Sequence, residues 1–150
     1  MAKVLLLNGP NLNLLGERQP SIYGTTTLKE IEDTVRAKVE QAGHTCATFQ
    51  SNSEGALVDW LHHERPADFL ILNAAGFTHT SVALRDAVSA IAVPFVEVHI
   101  SNIYKREPFR AHSYFSDIAE GVMAGLGPRG YDFAAEFALD FLKRGQCSGP

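Results

Sequence analysis

Short apolar runs alternate along the chain with segments whose apolar positions recur at helical spacing. Residues 4–7 (VLLL) are continuous and aliphatic, which predicts a first strand. Leu28, Ile31, Val35, Val39 and Ala42 then return every three or four positions and define one face of a helix. Thr27 with Glu30 makes a capping box at its start, and Gly43 ends it. Residues 45–50 predict a second strand; Leu57, Trp60 and Leu61 a second helix, stopped by Pro66. Residues 69–72 (FLIL) predict the third strand. Leu84, Ala87, Val88 and Ile91 mark a third helix, closed before Pro94. Residues 95–100 read as a fourth strand, 122–124 as a short fifth, and Ala134, Phe137, Ala138 and Phe141 as the face of a final helix. Strands this apolar, alternating with helices, imply a parallel sheet covered on both faces. The expectation is one doubly wound α/β domain over residues 1–150, with residues 144–150 a frayed tail.

Composition narrows the function classes. A hydrophobic content of 45% suits a globular chain, and no apolar run approaches the roughly 18 residues needed to span a bilayer. The opening residues are too short an apolar stretch for a signal peptide and lack a small-residue cleavage site. Cys46 and Cys147 show no CxxC spacing, which points to a reducing cytoplasm. A net charge of -4 argues against nucleic acid, so an anionic ligand would need a local cluster of arginines.

In an open parallel sheet, ligands bind beyond the carboxyl ends of the strands, where the strand order reverses. With the order 2-1-3-4-5, the loops after strands 1, 3 and 4 meet there. They read NGPNLN, NAAGFTHTS and EVHISNIYKREPFR, and they collect Asn8, Asn11, Asn13, Asn73, His79, His99, Ser101, Arg106 and Arg110. The first of them runs on through NGPNLNLLGERQPSIYG, far longer than the usual strand–helix connection of about two to six residues. Gly16, Pro20 and Gly24 bracket this stretch as hinges would.

Within these loops, His99 ends an apolar strand, and Glu97 lies two positions earlier on the same face. A carboxylate there can orient the imidazole and favour its protonated form, as a general acid requires; a purely structural pair is the alternative. His79 and His99 lack a third ligand at metal-binding spacing. Arg106 and Arg110 flank Glu107, either as an ordinary surface ion pair or as a clamp for a carboxylate or hydroxyl. A phenol has a pKa near 10, and lowering it by about three units takes roughly 4 kcal/mol. Tyr23 could act as a base if the neighbouring Arg18, which stays charged, favours tyrosinate. His62, His63, His44 and His112 carry no expected role.

Several of these stretches, in this order, resemble the type II 3-dehydroquinase (3-dehydroquinate dehydratase) family: NGPNLNLLGERQPSIYG, QSNSEG, NAAGFTHTSVALRDA and VEVHISNIYKREPFR. AAGF at residues 74–77 departs slightly, standing where the family often has a tyrosine. The resemblance implies a flavodoxin-like fold and a homododecamer built as a tetramer of trimers. It also implies reversible dehydration of 3-dehydroquinate to 3-dehydroshikimate without metal or organic cofactor, nucleic acid or membrane. By the same resemblance, Tyr23 is the base, with Arg18 on the same lid, and Asn11 holds the water that stabilises an enolate. His99 protonates the departing hydroxyl, oriented by Glu97, with Arg106 also behind the contact surface. Ser101 and the backbone N–H groups around Ile100 take the substrate carboxylate. Asn73, His79 and Arg110 contact ring hydroxyls or carboxylate, and Asp86 reaches the site of a neighbouring subunit.

Two rivals of the same fold are disfavoured by the loops. NGPNLN lacks the Ser/Thr-rich phosphate loop of a flavin carrier, and no strand end has the acidic cluster of a receiver domain. A different carbanion lyase or isomerase acting on a small hydroxy acid remains open. The Schiff-base dehydroquinases need an active-site lysine on a barrel strand, and none of Lys3, Lys29, Lys38, Lys105 and Lys143 ends a core strand.

Overall fold

The three central strands hide their side chains from water along most of their length, and the helices explain how. In the computed structural model, which describes residues 1–17, 21 and 24–147, β1 (Lys3–Asn8), β2 (Thr45–Gln50), β3 (Phe69–Asn73), β4 (Phe95–His99) and β5 (Gly121–Ala124) form one sheet. Its order is β2-β1-β3-β4-β5, and all four pairings are parallel. Among the described residues, four helices cover it: α1 (Leu28–Gln41), α2 (Glu54–His63), α3 (Val82–Ile91) and α4 (Arg129–Cys147).

Although the strands read as continuous apolar runs, their side chains divide between two cores by the two-residue repeat of a strand. Val4, Leu6, Phe69, Ile71, Val96 and Val98 pack under α1 and α4. Leu5, Leu7, Leu70, Leu72 and Phe95 pack under α2 and α3. Leu5, Leu6, Leu7 and Leu72 are wholly excluded from solvent, and each such side chain contributes about 1.5–3 kcal/mol. The same parity decides where the polar ends of the strands face. Asn8 and Asn73 continue the α4 side; Glu97 and His99 continue the α2–α3 side.

Helix starts follow side-chain chemistry. Thr27, Ser53 and Ser81 each accept a bond from the backbone N–H three residues on, at 3.2, 3.3 and 2.9 Å. The expected strands and helices are all present, and their boundaries shift by a few residues. β4 stops at His99 rather than residue 100, because the chain turns there and Gly127 donates to the Ile100 carbonyl at 3.0 Å. α4 continues to Cys147, so residues 144–147, expected to fray, are helical. Arg144 pairs with Asp140 one turn back at 3.3 Å, and its guanidinium lies over the Phe141 ring. Among the described residues, no helix is long and apolar enough to cross a membrane.

Candidate active site

A cavity of about 130 Å³ opens beyond the carboxyl ends of β1, β3 and β4. Asn11, Asn73, His79, His99, Ile100, Ser101 and Arg110 all line it, and Arg106, expected behind the contact surface, lines it too. Glu97 stands behind His99. Asp86 does not reach this cavity; it lies on exposed α3, in a separate surface groove with Arg85, Tyr104 and Asp117. Arg18 and Tyr23 lie outside the described residues, between Gly16 and Gly24, which both adopt left-handed backbone (φ 91° and 76°).

The loop after β1 forms one wall because the backbone of β3 supports it from behind. Gly9 donates to the Asn73 carbonyl at 2.8 Å, and a Cβ on Gly9 would lie 2.2 Å from the Ala74 carbonyl oxygen. Glycine is therefore required at that approach. Asn11 takes φ 69°, a left-handed conformation that asparagine tolerates, and its N–H donates to Asn52 Oδ1 at 2.9 Å. Gln50 Nε2 donates to the Gly9 carbonyl at 3.0 Å. The QSN stretch after β2 thus props the loop that carries Asn11.

On the α4 side of the sheet, Asn8 and Asn73 are partners across β1 and β3. Tyr131 of α4 bridges them: its hydroxyl donates to Asn8 Oδ1 at 2.6 Å and accepts from Asn73 Nδ2 at 2.8 Å. Asn73 Oδ1 accepts from the N–H of Ala75 at 3.0 Å. Both polar atoms of the Asn73 amide are thus held in one orientation. Burial pushes the Tyr131 phenol well above its ordinary value, so it remains a donor. Asn8 Nδ2 has no hydrogen-bond partner among the described residues.

On the opposite side, Glu97 is 1% exposed and His99 5%. His99 Nε2 lies 2.5 Å from Glu97 Oε2. Ser113 donates to the same oxygen at 2.9 Å, and Ser116 to Oε1 at 2.7 Å. Burial alone would raise the Glu97 pKa; the bonds from His99, Ser116 and Ser113 outweigh it and hold the carboxyl below its ordinary value. Glu97 therefore stays an anion beside the imidazole, and His99 Nδ1 is the nitrogen available to the cavity.

His79 stacks near His99, ring centroids 6.4 Å apart. Its Nδ1 lies 2.8 Å from the carbonyl of His112 and donates to it, which leaves Nε2 as an acceptor in the neutral ring. Burial lowers the His79 pKa; the charges of His99 and Arg110 lower it further, against the opposing pull of the His112 carbonyl. Arg110 makes a two-point pair with Glu107, at 3.0 and 3.4 Å, and Arg106 donates to Ser101 Oγ at 3.2 Å. The cavity thus combines two guanidinium groups and two imidazoles with a buried carboxylate, suited to a small anion that must gain or lose protons. Three contributors escaped the sequence reading: Ser113, Ser116 and Tyr131. The SYFS spacing (Ser113 to Ser116) was the available signal for the first two, and nothing local marks Tyr131.

The fold and the cavity together define an α/β protein of flavodoxin-like topology, with a strand-end pocket equipped for acid–base chemistry on a small anion. A sequence model of the dehydroquinase class II family matches residues 2–139. The 3-dehydroquinate dehydratase of Pasteurella multocida is 56% identical over 145 residues, covering 96% of this chain and 98% of that protein. The 3-dehydroquinate dehydratase 1 of Pseudomonas aeruginosa is 56% identical over 146 residues, covering 96% and 99%. The crystal structure of the type II dehydroquinase from Propionibacterium acnes superposes with a TM-score of 0.87 at 37% identity, over 93% of this chain and 97% of that one. The chain belongs to the class II dehydroquinases.

Proposed function

We propose that the chain is a single catalytic domain that reversibly dehydrates 3-dehydroquinate to 3-dehydroshikimate, in aromatic biosynthesis or quinate breakdown in the cytoplasm. The observation that carries this reading is the buried Glu97–His99 pair at the wall of a cationic cavity, in a chain of this family. Tyr23, as tyrosinate favoured by Arg18, takes the proton from the carbon next to the ketone and leaves an enolate. A water held by Asn11 bonds the enolate oxygen as charge develops there. His99 then passes its Nδ1 proton to the departing hydroxyl, which leaves as water, and the enolate electrons form the new double bond. Ser101 and the N–H groups around Ile100 receive the substrate carboxylate, while Asn73, Arg110 and the acceptor nitrogen of His79 take ring hydroxyls. Arg106 steadies Ser101 from behind. Left-handed Gly16 and Gly24 at the two ends of the Arg18–Tyr23 stretch support its closing over the cavity.

The same reading makes the protein a homododecamer of four trimers in which Asp86 completes a neighbour's site. Support comes from the place of Asp86, away from its own cavity and in a groove where Val82 and Tyr104 stand 53% and 64% exposed. The test is a continuous absorbance assay for the conjugated enone product. Wild type should form it from 3-dehydroquinate, and Tyr23→Phe should lose about 10²–10⁴ in rate while still binding substrate. Near-normal turnover of Tyr23→Phe would remove the base assignment; no product from wild type would remove the function.

A further inference from the structure

A buried carboxylate can hold an imidazolium only if it stays an anion and keeps one orientation, and Glu97 needs help with both. It lies in the middle of β4, 1% exposed, with water largely excluded from its two oxygens. The help comes from outside the loops that line the cavity. Residues 112–116 turn back against β4 after the arginine loop, anchored by a bond from the Tyr114 N–H to the Thr78 carbonyl at 2.9 Å.

Ser113 is constrained by what it accepts. Its Oγ takes the backbone N–H groups of Phe115 at 3.0 Å and Ser116 at 3.2 Å. With both lone-pair directions occupied, its own hydrogen points to Glu97 Oε2, which must then be an acceptor. That same oxygen faces His99 Nε2, and with the carboxyl held below its ordinary value the imidazole is the donor there. Ser116 gives its hydrogen to the other oxygen, Oε1. The carboxylate is thereby pinned at both oxygens, in the one orientation that serves His99. The segment also fixes the second imidazole, since the His112 carbonyl takes His79 Nδ1.

We propose that Ser113 and Ser116 are positioning residues of the proton donor: their hydroxyls keep the Glu97 carboxylate an acceptor aimed at His99 Nε2 and so keep the proton on His99 Nδ1. The proposal rests on the reading of His99 as the acid. The charged and titratable groups around the pair from the cavity side include His79, Arg110 and Arg106, and among the described residues the Glu97 carboxylate is bonded by His99, Ser113 and Ser116. The lowered Glu97 pKa agrees with this arrangement.

Ser116→Ala is the decisive variant, because the Ser116 hydroxyl makes its bond to Glu97 and leaves the Ser113-centred turn intact. In the resting protein, carbon-13 NMR should show the Glu97 carboxyl titrating about one pH unit higher than in wild type. In turnover, kcat should fall about tenfold on the alkaline side, the fold-change equivalent to one unit, with that limb moved to lower pH and KM within about twofold. Ser116→Thr, which restores a hydroxyl, should recover both. An unmoved Glu97 titration would overturn the proposal, as would a lower kcat whose pH limbs stay in place. The NMR measurement needs no substrate, so failure of the proposed reaction would leave it decisive.

Discussion

Replacing Tyr131 by Phe removes one oxygen atom and strands two buried amides. The hydroxyl bonds of 2.6 Å to Asn8 and 2.8 Å to Asn73 both disappear. Asn8 and Asn73 are 0% and 2% exposed, so solvent cannot replace it directly. Each stranded buried group costs about 1–3 kcal/mol, which gives about 2–6 kcal/mol for the pair. The two residues are partners in register across β1 and β3, and a turned amide could bond its neighbour. The lower half of the range is therefore expected, about 2–4 kcal/mol. For a chain of this size each kcal/mol moves Tm by about 2–4 °C, so a loss near 3 kcal/mol lowers it by about 6–12 °C. Urea unfolding followed by fluorescence of the single tryptophan, Trp60, stacked on Phe49 in the fold, supplies the measurement. Protein concentration must be held equal, since self-association adds to apparent stability. Substrate KM should rise more than kcat falls, because Asn73 loses its fixed orientation. A variant within about 0.5 kcal/mol of wild type, the scale of an ordinary surface substitution, would refute the claim that this bridge holds the floor of the site.

Gly9→Ala forces a Cβ into the Ala74 carbonyl oxygen, 2.2 Å away in the fold, and should destabilise by about 1–3 kcal/mol or more; a wild-type thermal midpoint would contradict the close approach. Glu97 has a folded pKa below its unfolded one, so its contribution is present above the ordinary carboxylate range and is lost as pH falls through the folded value. Acid-unfolding curves should therefore be shallower in Glu97→Gln below about pH 4.5, and curves parallel to wild type would count against the sign. Mixing dissociated Tyr23→Phe and Asp86→Ala chains and letting them reassemble should give more activity than the two parents summed; proven exchange without that gain, from a weak Asp86→Ala parent, would leave Asp86 a surface charge.

Periodicity sufficed for the elements because β1, β3 and β4 are buried on both faces and each helix packs one face against the sheet. It failed at ends, where single hydrogen bonds decide: β4 stops one residue early for a turn, and α4 runs on past Arg144, which pairs with Asp140. Loop chemistry exposed the cavity lining, since Asn, His and Arg gathered at three strand ends have few other reasons to be there. Tyr131 was silent, and Ser113 and Ser116 showed only as a spacing, because all three act through contacts the fold alone brings about. A serine in a turn and a tyrosine in an amphipathic helix are ordinary until the fold brings them against Glu97, Asn8 and Asn73. Asp86 was expected from the family resemblance, and the fold places it in a surface groove away from the cavity.

The Tyr131 bridge also ties the floor of the pocket to the docking of a whole helix. Asn8 Oδ1 and the hydroxyl that fixes it are separated by 123 positions. A local opening that lifts α4 from the sheet carries the Tyr131 oxygen away and leaves the Asn73 amide with only its bond from the Ala75 N–H. The rigidity of the floor is therefore only as lasting as the contact between α4 and the strands beneath it.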